Sequence, residues 1–142
     1  ADLIRNYILM GHDRLQQETL YGRYWNEIEK NARYDAERTN LVSDFVRDYL
    51  TFKNKKIPRK SLVYDTFKMR FPDRSYEVVE ALLSDLKIYS SYYGKLINPS
   101  REPDPEIRLH LEFLSGIEVN TSYPFFYRFI TIIIVACWIK RE

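Results

Sequence analysis

The segment SYEVVEALLSDLKIYSSYYGKL, residues 75–96, decides the fold class. Its apolar residues recur every three or four positions, which is the spacing of one face of a helix. They are Val78, Leu82, Leu86, Tyr89, Tyr93 and Leu96. Ser75 is a suitable N-cap for such a helix, and the repeat covers too few heptads to dictate a coiled-coil dimer. We therefore predict one long helix that forms the spine of a helical domain.

The N-terminal segments have the same helical spacing. Residues 2–10 predict a helix that Gly11 ends. Asp13 and Gln16 then form a capping-box pattern, in which each side chain accepts a hydrogen bond from the other residue's amide. A second helix is therefore predicted over residues 14–33.

Two further helices are predicted before the spine. Thr39 is a plausible N-cap for the first of them, which should end near Lys53. Apolar pairs in this segment recur every four residues, which is the spacing of a buried helix face. After the polar stretch KNKK, Pro58 suits the first turn of the next helix. Leu62 lies on the apolar face of that helix, and Pro72 ends it.

The C-terminal part begins with a proline-rich loop over residues 99–105, followed by helices over 106–142, the first of which ends at Gly116. The last of these helices is apolar on nearly every face between residues 125 and 139. We favour a central or interface helix for it. A strand remains an alternative because of the β-branched run TIIIV. A membrane segment is disfavoured, because a span needs about 20 apolar residues and Arg128 interrupts this one.

The composition excludes several classes of protein. The 142 residues are 45% hydrophobic and include 4 Gly, 6 Pro and one Cys, which is too apolar for a disordered chain and too poor in Gly and Pro for a collagen-like one. We predict a single all-α domain over residues 1–142, an irregular helical bundle of about six or seven helices. Cys137 has apolar neighbours and is predicted to be a buried, inert thiol in a reducing, cytoplasmic compartment.

The start of the sequence predicts a piece of a longer protein. Residue 1 is Ala, and an apolar-periodic helix begins at once without a leader pattern. In this interpretation residues 1–11 form a junction helix and residues 12–98 contain the main helices.

The residue patterns of most catalytic and metal sites are missing from the sequence. His12 and His110 are far apart, and neither has Cys or a carboxylate at metal-ligand spacing. The four glycines are isolated, so the sequence has no glycine-rich phosphate loop. We expect this segment to contain no catalytic residue, no metal site and no cofactor.

Positive charge is concentrated in one part of the chain. The whole chain has a net charge of +2, but residues 53–74 hold eight Lys and Arg against two Asp, so the remainder is slightly acidic. A basic patch of this kind is a candidate contact for a nucleic-acid backbone. The candidate residues are Lys53, Lys55, Lys56, Arg59 and Lys60. A solvated loop and a surface for an acidic protein partner are the alternatives.

Four sequence blocks occur in a recognisable order: ADLIRNYILM (1–10), LYGRYWNEIE (20–29), DFVRDYLTFKNKKIPRKSLVYDTFK (44–68) and YYGKLINP (92–99). They resemble the all-helical segment of the GmrSD-like family, which contains bacterial type IV, modification-dependent restriction endonucleases and their relatives. The resemblance covers residues 1–124. It implies a phage-defence protein with a ParB-like N-terminal domain carrying an Asp-Gly-x-x-Arg motif and, in many members, a His-Asn-His nuclease motif. Neither motif occurs in this chain.

The resemblance implies a non-catalytic role for this segment. It would hold a nuclease or nucleotide-hydrolysing domain of the parent protein in position and contact the DNA backbone. Because the segment follows the family's catalytic N-terminal domain, Asp2, Arg5 and Asn6 would face or cap the junction between the two.

Two other functions remain open. The chain can be a protein-interaction module whose apolar last helix docks a partner or a second copy through Ile132, Ile133 and Trp138. The third option is an independent hydrolase. If the chain is a protein-interaction module and that apolar face is uncovered, the isolated domain should self-associate.

Overall fold

The computed structural model describes residues 2–34, 41–116 and 124–126. Within them the chain forms seven α-helices, so the predicted all-α class is confirmed. The helices are α1 (Asp2–Leu9), α2 (Arg14–Leu20), α3 (Asn26–Asn31), α4 (Val42–Asn54), α5 (Val63–Arg70), α6 (Tyr76–Ile97) and α7 (Pro105–Gly116). A π-helical turn, Tyr21–Trp25, joins α2 to α3, and 3₁₀ turns at Lys60–Leu62 and Pro99–Arg101 precede α5 and α7.

Helix α6 is the spine of the bundle, as predicted. It contacts α2, α3, α4, α7 and the π-helical turn, while α5 packs against α1 and α4. Large, fully buried side chains from these elements fill the core: Trp25, Phe45, Tyr49, Phe67, Leu83 and Leu86. The apolar face of α6 differs from the prediction at its first position. Val78 is 42% exposed, and Val79 is buried in its place.

The N-terminal helix boundaries follow the local signals in the sequence. Gly11 has a φ of 97° and follows α1. The Asp13 carboxylate accepts the Gln16 amide at 2.9 Å, and the Asp13 amide donates to the Gln16 side chain at 3.2 Å. The capping box is therefore confirmed. The helix predicted over 14–33 is present as α2, the π-helical turn and α3, and it ends at Asn31.

The predicted helix start at Pro58 is wrong. Pro58 lies in a non-helical segment, and α5 begins only at Val63 after the 3₁₀ turn. The reason is a tertiary contact: Nε of Arg47, on α4, donates to the Pro58 carbonyl at 3.0 Å, and Pro58 is buried. As a result Leu62 is exposed instead of lying on the apolar face of a longer helix.

The segment between α6 and α7 is tied back onto the bundle. The Arg101 guanidinium donates to the carbonyl oxygens of Asn31 at 2.8 Å and Arg33 at 2.6 Å. Lys95 forms an ion pair of 2.8 Å with Glu102, whose side chain is 5% exposed. The predicted proline-rich loop is therefore an ordered connection that caps the end of α3. The predicted cap Thr39, Cys137 and the last helix beyond Phe126 lie outside the described residues.

Candidate nucleic-acid interface

The basic segment forms a fixed turn between α4 and α5, which we call the basic turn (residues 55–60). Lys55 ends α4 in the left-handed conformation, with a φ of 56°. The Arg47 contact holds Pro58 against α4, and the Leu62 amide donates to the Arg59 carbonyl at 2.9 Å. The side chains of the turn are therefore presented from an anchored backbone.

Four of the five predicted basic residues lie on this turn and are exposed: Lys55, Lys56, Arg59 and Lys60. None of them forms an ion pair with a residue that the structure describes. Lys55 places its ammonium 4.5 Å from the centre of the Phe52 ring. Their charges therefore face solvent without compensation by a described carboxylate.

Lys53 has a different environment. Its ammonium lies 2.8 Å from the Asp85 carboxylate and 5.0 to 5.8 Å from the centres of three aromatic rings, including Tyr89 at 5.0 Å. The Tyr49 hydroxyl donates to the same carboxylate at 2.5 Å. Burial, together with this hydrogen bond, raises the pKa of Tyr49 well above its usual range, so Tyr49 remains a donor. The charge of Lys53 is compensated within the fold.

An open groove runs beside the basic turn and along α5, with a volume of about 650 Å³. It is lined by Asn54, Lys56, Ile57, Pro58, Arg59, Leu62, Thr66, Met69 and Arg70. Lys56, Arg59 and Arg70 line the groove together with the exposed apolar side chains of Ile57, Leu62 and Met69, and we call these two sets of lining residues its rim and its floor. We call this feature the α5 groove.

Lys60 lies on the other side of the turn. It lines a smaller pocket of about 250 Å³ between α1, α4 and the start of α5. Arg47, Asp44 and Tyr64 also line this pocket, so its charges are mixed. The basic turn therefore presents cations on two surfaces. Asp44 lines the smaller pocket, whereas no carboxylate among the described residues lines the α5 groove.

Arg70 and the α5 groove were not among the sequence candidates. A signal for Arg70 existed, since it belongs to the same basic run of residues 53–74. Its position three residues after the buried Phe67, however, places it beside the apolar face of the predicted helix. The groove itself could not be inferred, because it depends on the non-helical path of residues 55–60.

The three predicted junction residues lie on α1. Asp2 and Asn6 are exposed. The Arg5 guanidinium contacts Asp2 at 3.1 Å and Glu29 at 3.5 Å. Glu29 also accepts the indole N–H of Trp25 at 2.8 Å, so Arg5 links α1 to α3. Their junction role remains a prediction.

Other site features are few in the described part of the chain. Residues 2–34, 41–116 and 124–126 contain no group of three or more His, Cys, Asp or Glu placed to hold a metal ion. In the same ranges, no helix has both the length and the apolar character to cross a membrane. The predicted docking residues Ile132, Ile133 and Trp138 lie outside these ranges.

Comparisons of the chain with protein-family models, with curated proteins and with solved structures found no match.

Proposed function

We propose that this helical domain is a non-catalytic segment of a GmrSD-like restriction protein that supports a nuclease or nucleotide-hydrolysing domain elsewhere in the parent and contacts the nucleic-acid backbone. The observation that carries the proposal is the basic turn. Lys55, Lys56, Arg59 and Lys60 are exposed, and no described carboxylate pairs with them. Lys53 is left out of the contact surface because Asp85 already neutralises it.

Backbone contacts of this kind predict a specific salt dependence. Each phosphate that a cation neutralises releases counterions, so the logarithm of the duplex affinity falls with the logarithm of salt concentration with a slope of about −0.9 per contact. Three or four contacts therefore predict a slope of about −3. Fluorescence anisotropy of a labelled duplex between about 50 and 200 mM salt measures it.

The matched test uses two triple variants of equal charge change. Lys56→Glu, Arg59→Glu and Lys60→Glu together should abolish most of the slope, because they remove cations from the turn. Arg14→Glu, Arg23→Glu and Lys30→Glu together should leave it nearly unchanged, because these exposed cations lie on α2, the π-helical turn and α3. If the slope of the original chain were flat, or if both variants lost the same part of it, the proposal that the basic turn contacts the nucleic-acid backbone would be contradicted.

A second candidate function is a protein-interaction module. It is favoured by α7, on which Leu109 and Phe113 are 64% and 69% exposed one helical turn apart. Exposed apolar faces of this type favour association with a partner or a second copy. Sedimentation of the chain over a range of concentrations tests self-association, and a monomer at every concentration would count against it.

A further inference from the structure

The floor of the α5 groove is an exposed apolar surface, which phosphate contacts alone would leave uncovered. Ile57, Leu62 and Met69 are 57%, 46% and 83% exposed, and all three line this one groove. Single exposed apolar residues are ordinary on a protein surface, whereas several in one concave site are typical of a ligand-binding surface. An apolar group on a ligand would cover these three side chains.

The cations of the rim favour a negatively charged ligand. Lys56, Arg59 and Arg70 line the groove, and no Asp or Glu of the described part of the chain does. None of the three cations forms an ion pair within the described residues. A ligand that brings negative charge to the rim and an apolar surface to the floor is complementary to both.

An unpaired nucleotide has this combination. The two faces of a base are apolar, and proteins that bind extruded bases place them between aromatic or apolar side chains. The base edges need hydrogen bonds, which the amide of Asn54 and the hydroxyl of Thr66 can supply from the same lining. The volume of about 650 Å³ lies within the usual range of small-ligand sites, about 300–1,000 Å³.

Duplex nucleic acid fits the groove less well. Its bases are stacked inside the helix, so its outer surface offers phosphates and base edges but no free base face. Binding a duplex would leave Ile57, Leu62 and Met69 uncovered. We infer that the α5 groove binds an unpaired nucleotide of single-stranded nucleic acid, with its base against this floor and the neighbouring phosphates on Lys56, Arg59 and Arg70. This inference rests on the proposed function, because it assigns the ligand of the same basic surface.

The test compares a fluorescein-labelled oligothymidylate with a duplex of equal length by anisotropy, using the full chain. The single strand should bind about tenfold more tightly, since covering about 55 Å² of apolar surface at about 25 cal/mol per Å² corresponds to a factor of about ten. The double variant Leu62→Ser and Met69→Ser should lose about tenfold in affinity for the single strand and less than about twofold for the duplex. Both residues are exposed, so the variant should keep the original unfolding midpoint.

The control variant Leu109→Ser and Phe113→Ser removes an equally exposed apolar pair from α7 and should change neither affinity. Duplex binding as tight as single-strand binding, or no effect of the floor variant on the single strand, would overturn the inference and leave the backbone contact standing. Absence of salt-dependent binding to both probes would overturn the proposed function as well, and an acidic protein segment would then be the better occupant of the groove.

Discussion

At the scale of single residues, Lys53 and Lys55 illustrate how neighbouring lysines acquire different roles. The ammonium of Lys53 is paired with Asp85, which lies on α6 and is distant in sequence. Lys55 follows the last residue of α4, and its left-handed backbone turns the chain away from the helix. Sequence spacing places both in one basic cluster, because it contains no information about which carboxylate a later helix brings alongside.

Asp48, on α4, predicts a pH dependence of stability. Burial, reinforced by the nearby Asp44 carboxylate and opposed by Arg47, raises the pKa of Asp48 to about 7. The folded state therefore holds a proton that the unfolded state releases near pH 4, so the free energy of unfolding falls as pH rises from about 4 to 7. Asp48→Asn should remove this loss, and the variant should be more stable than the original at pH 8 by about 4 kcal/mol.

Urea unfolding at acidic and mildly alkaline pH measures this effect. The two proteins should be most similar in stability below about pH 3, where the carboxyl is protonated in both the folded and the unfolded state. The control Asp65→Asn changes an exposed residue whose partner, Lys68, lies one turn away, and it should alter stability by less than about 1 kcal/mol. If the free energy of unfolding changed with pH in the same way for Asp48→Asn and the original chain, the raised pKa of Asp48 would be contradicted.

At the scale of elements, Gly94 controls how α6 approaches α3. A Cβ at this position would lie 2.9 Å from both Nη1 of Arg101 and the carbonyl oxygen of Asn31. The Arg101 side chain can shift, but the backbone of α3 cannot do so without losing its cap. Gly94→Ala should therefore destabilise the fold by about 1–3 kcal/mol, in spite of the higher helix propensity of alanine. Urea denaturation measures the change.

Gly22 provides the matched control. Among the described residues, and apart from its chain neighbours and its own helix backbone, no heavy atom lies within 4 Å of a Cβ added there. Gly22→Ala should be neutral or should stabilise the protein by up to about 1 kcal/mol. If both alanine variants unfolded at the same urea concentration, the close approach at Gly94 would have no energetic consequence.

The element boundaries also show which features the sequence could predict. The capping box at Asp13 and Gln16 depends only on neighbouring residues, and the sequence predicts it. The prediction of a helix start at Pro58 is wrong, because a hydrogen bond from Arg47 to the Pro58 carbonyl overrides the preference of proline for the first turn of a helix. The buried residue at the start of α6 was off by one, because the neighbouring helices decide which edge of the apolar face points inward.

At the scale of the whole molecule, the candidate site combines a predictable part and an unpredictable part. The excess of positive charge in residues 53–74 is a property of composition, and it identified Lys55, Lys56, Arg59 and Lys60 without a structure. The α5 groove is a property of the fold, because it forms only where a non-helical turn passes beside the C-terminal half of α5. The assembled surface therefore has charge that the sequence predicted and a shape that it did not.

The most direct test of the central claim is an amide NMR titration of the isotopically labelled chain with a short oligothymidylate. If the basic turn and the α5 groove bind nucleic acid, the largest shifts will cluster in residues 54–70, and amides on α2 and the exposed side of α7 will remain unchanged. Shifts centred on α7, or no shifts at concentrations where anisotropy detects binding, would contradict the assignment of nucleic-acid binding to this surface.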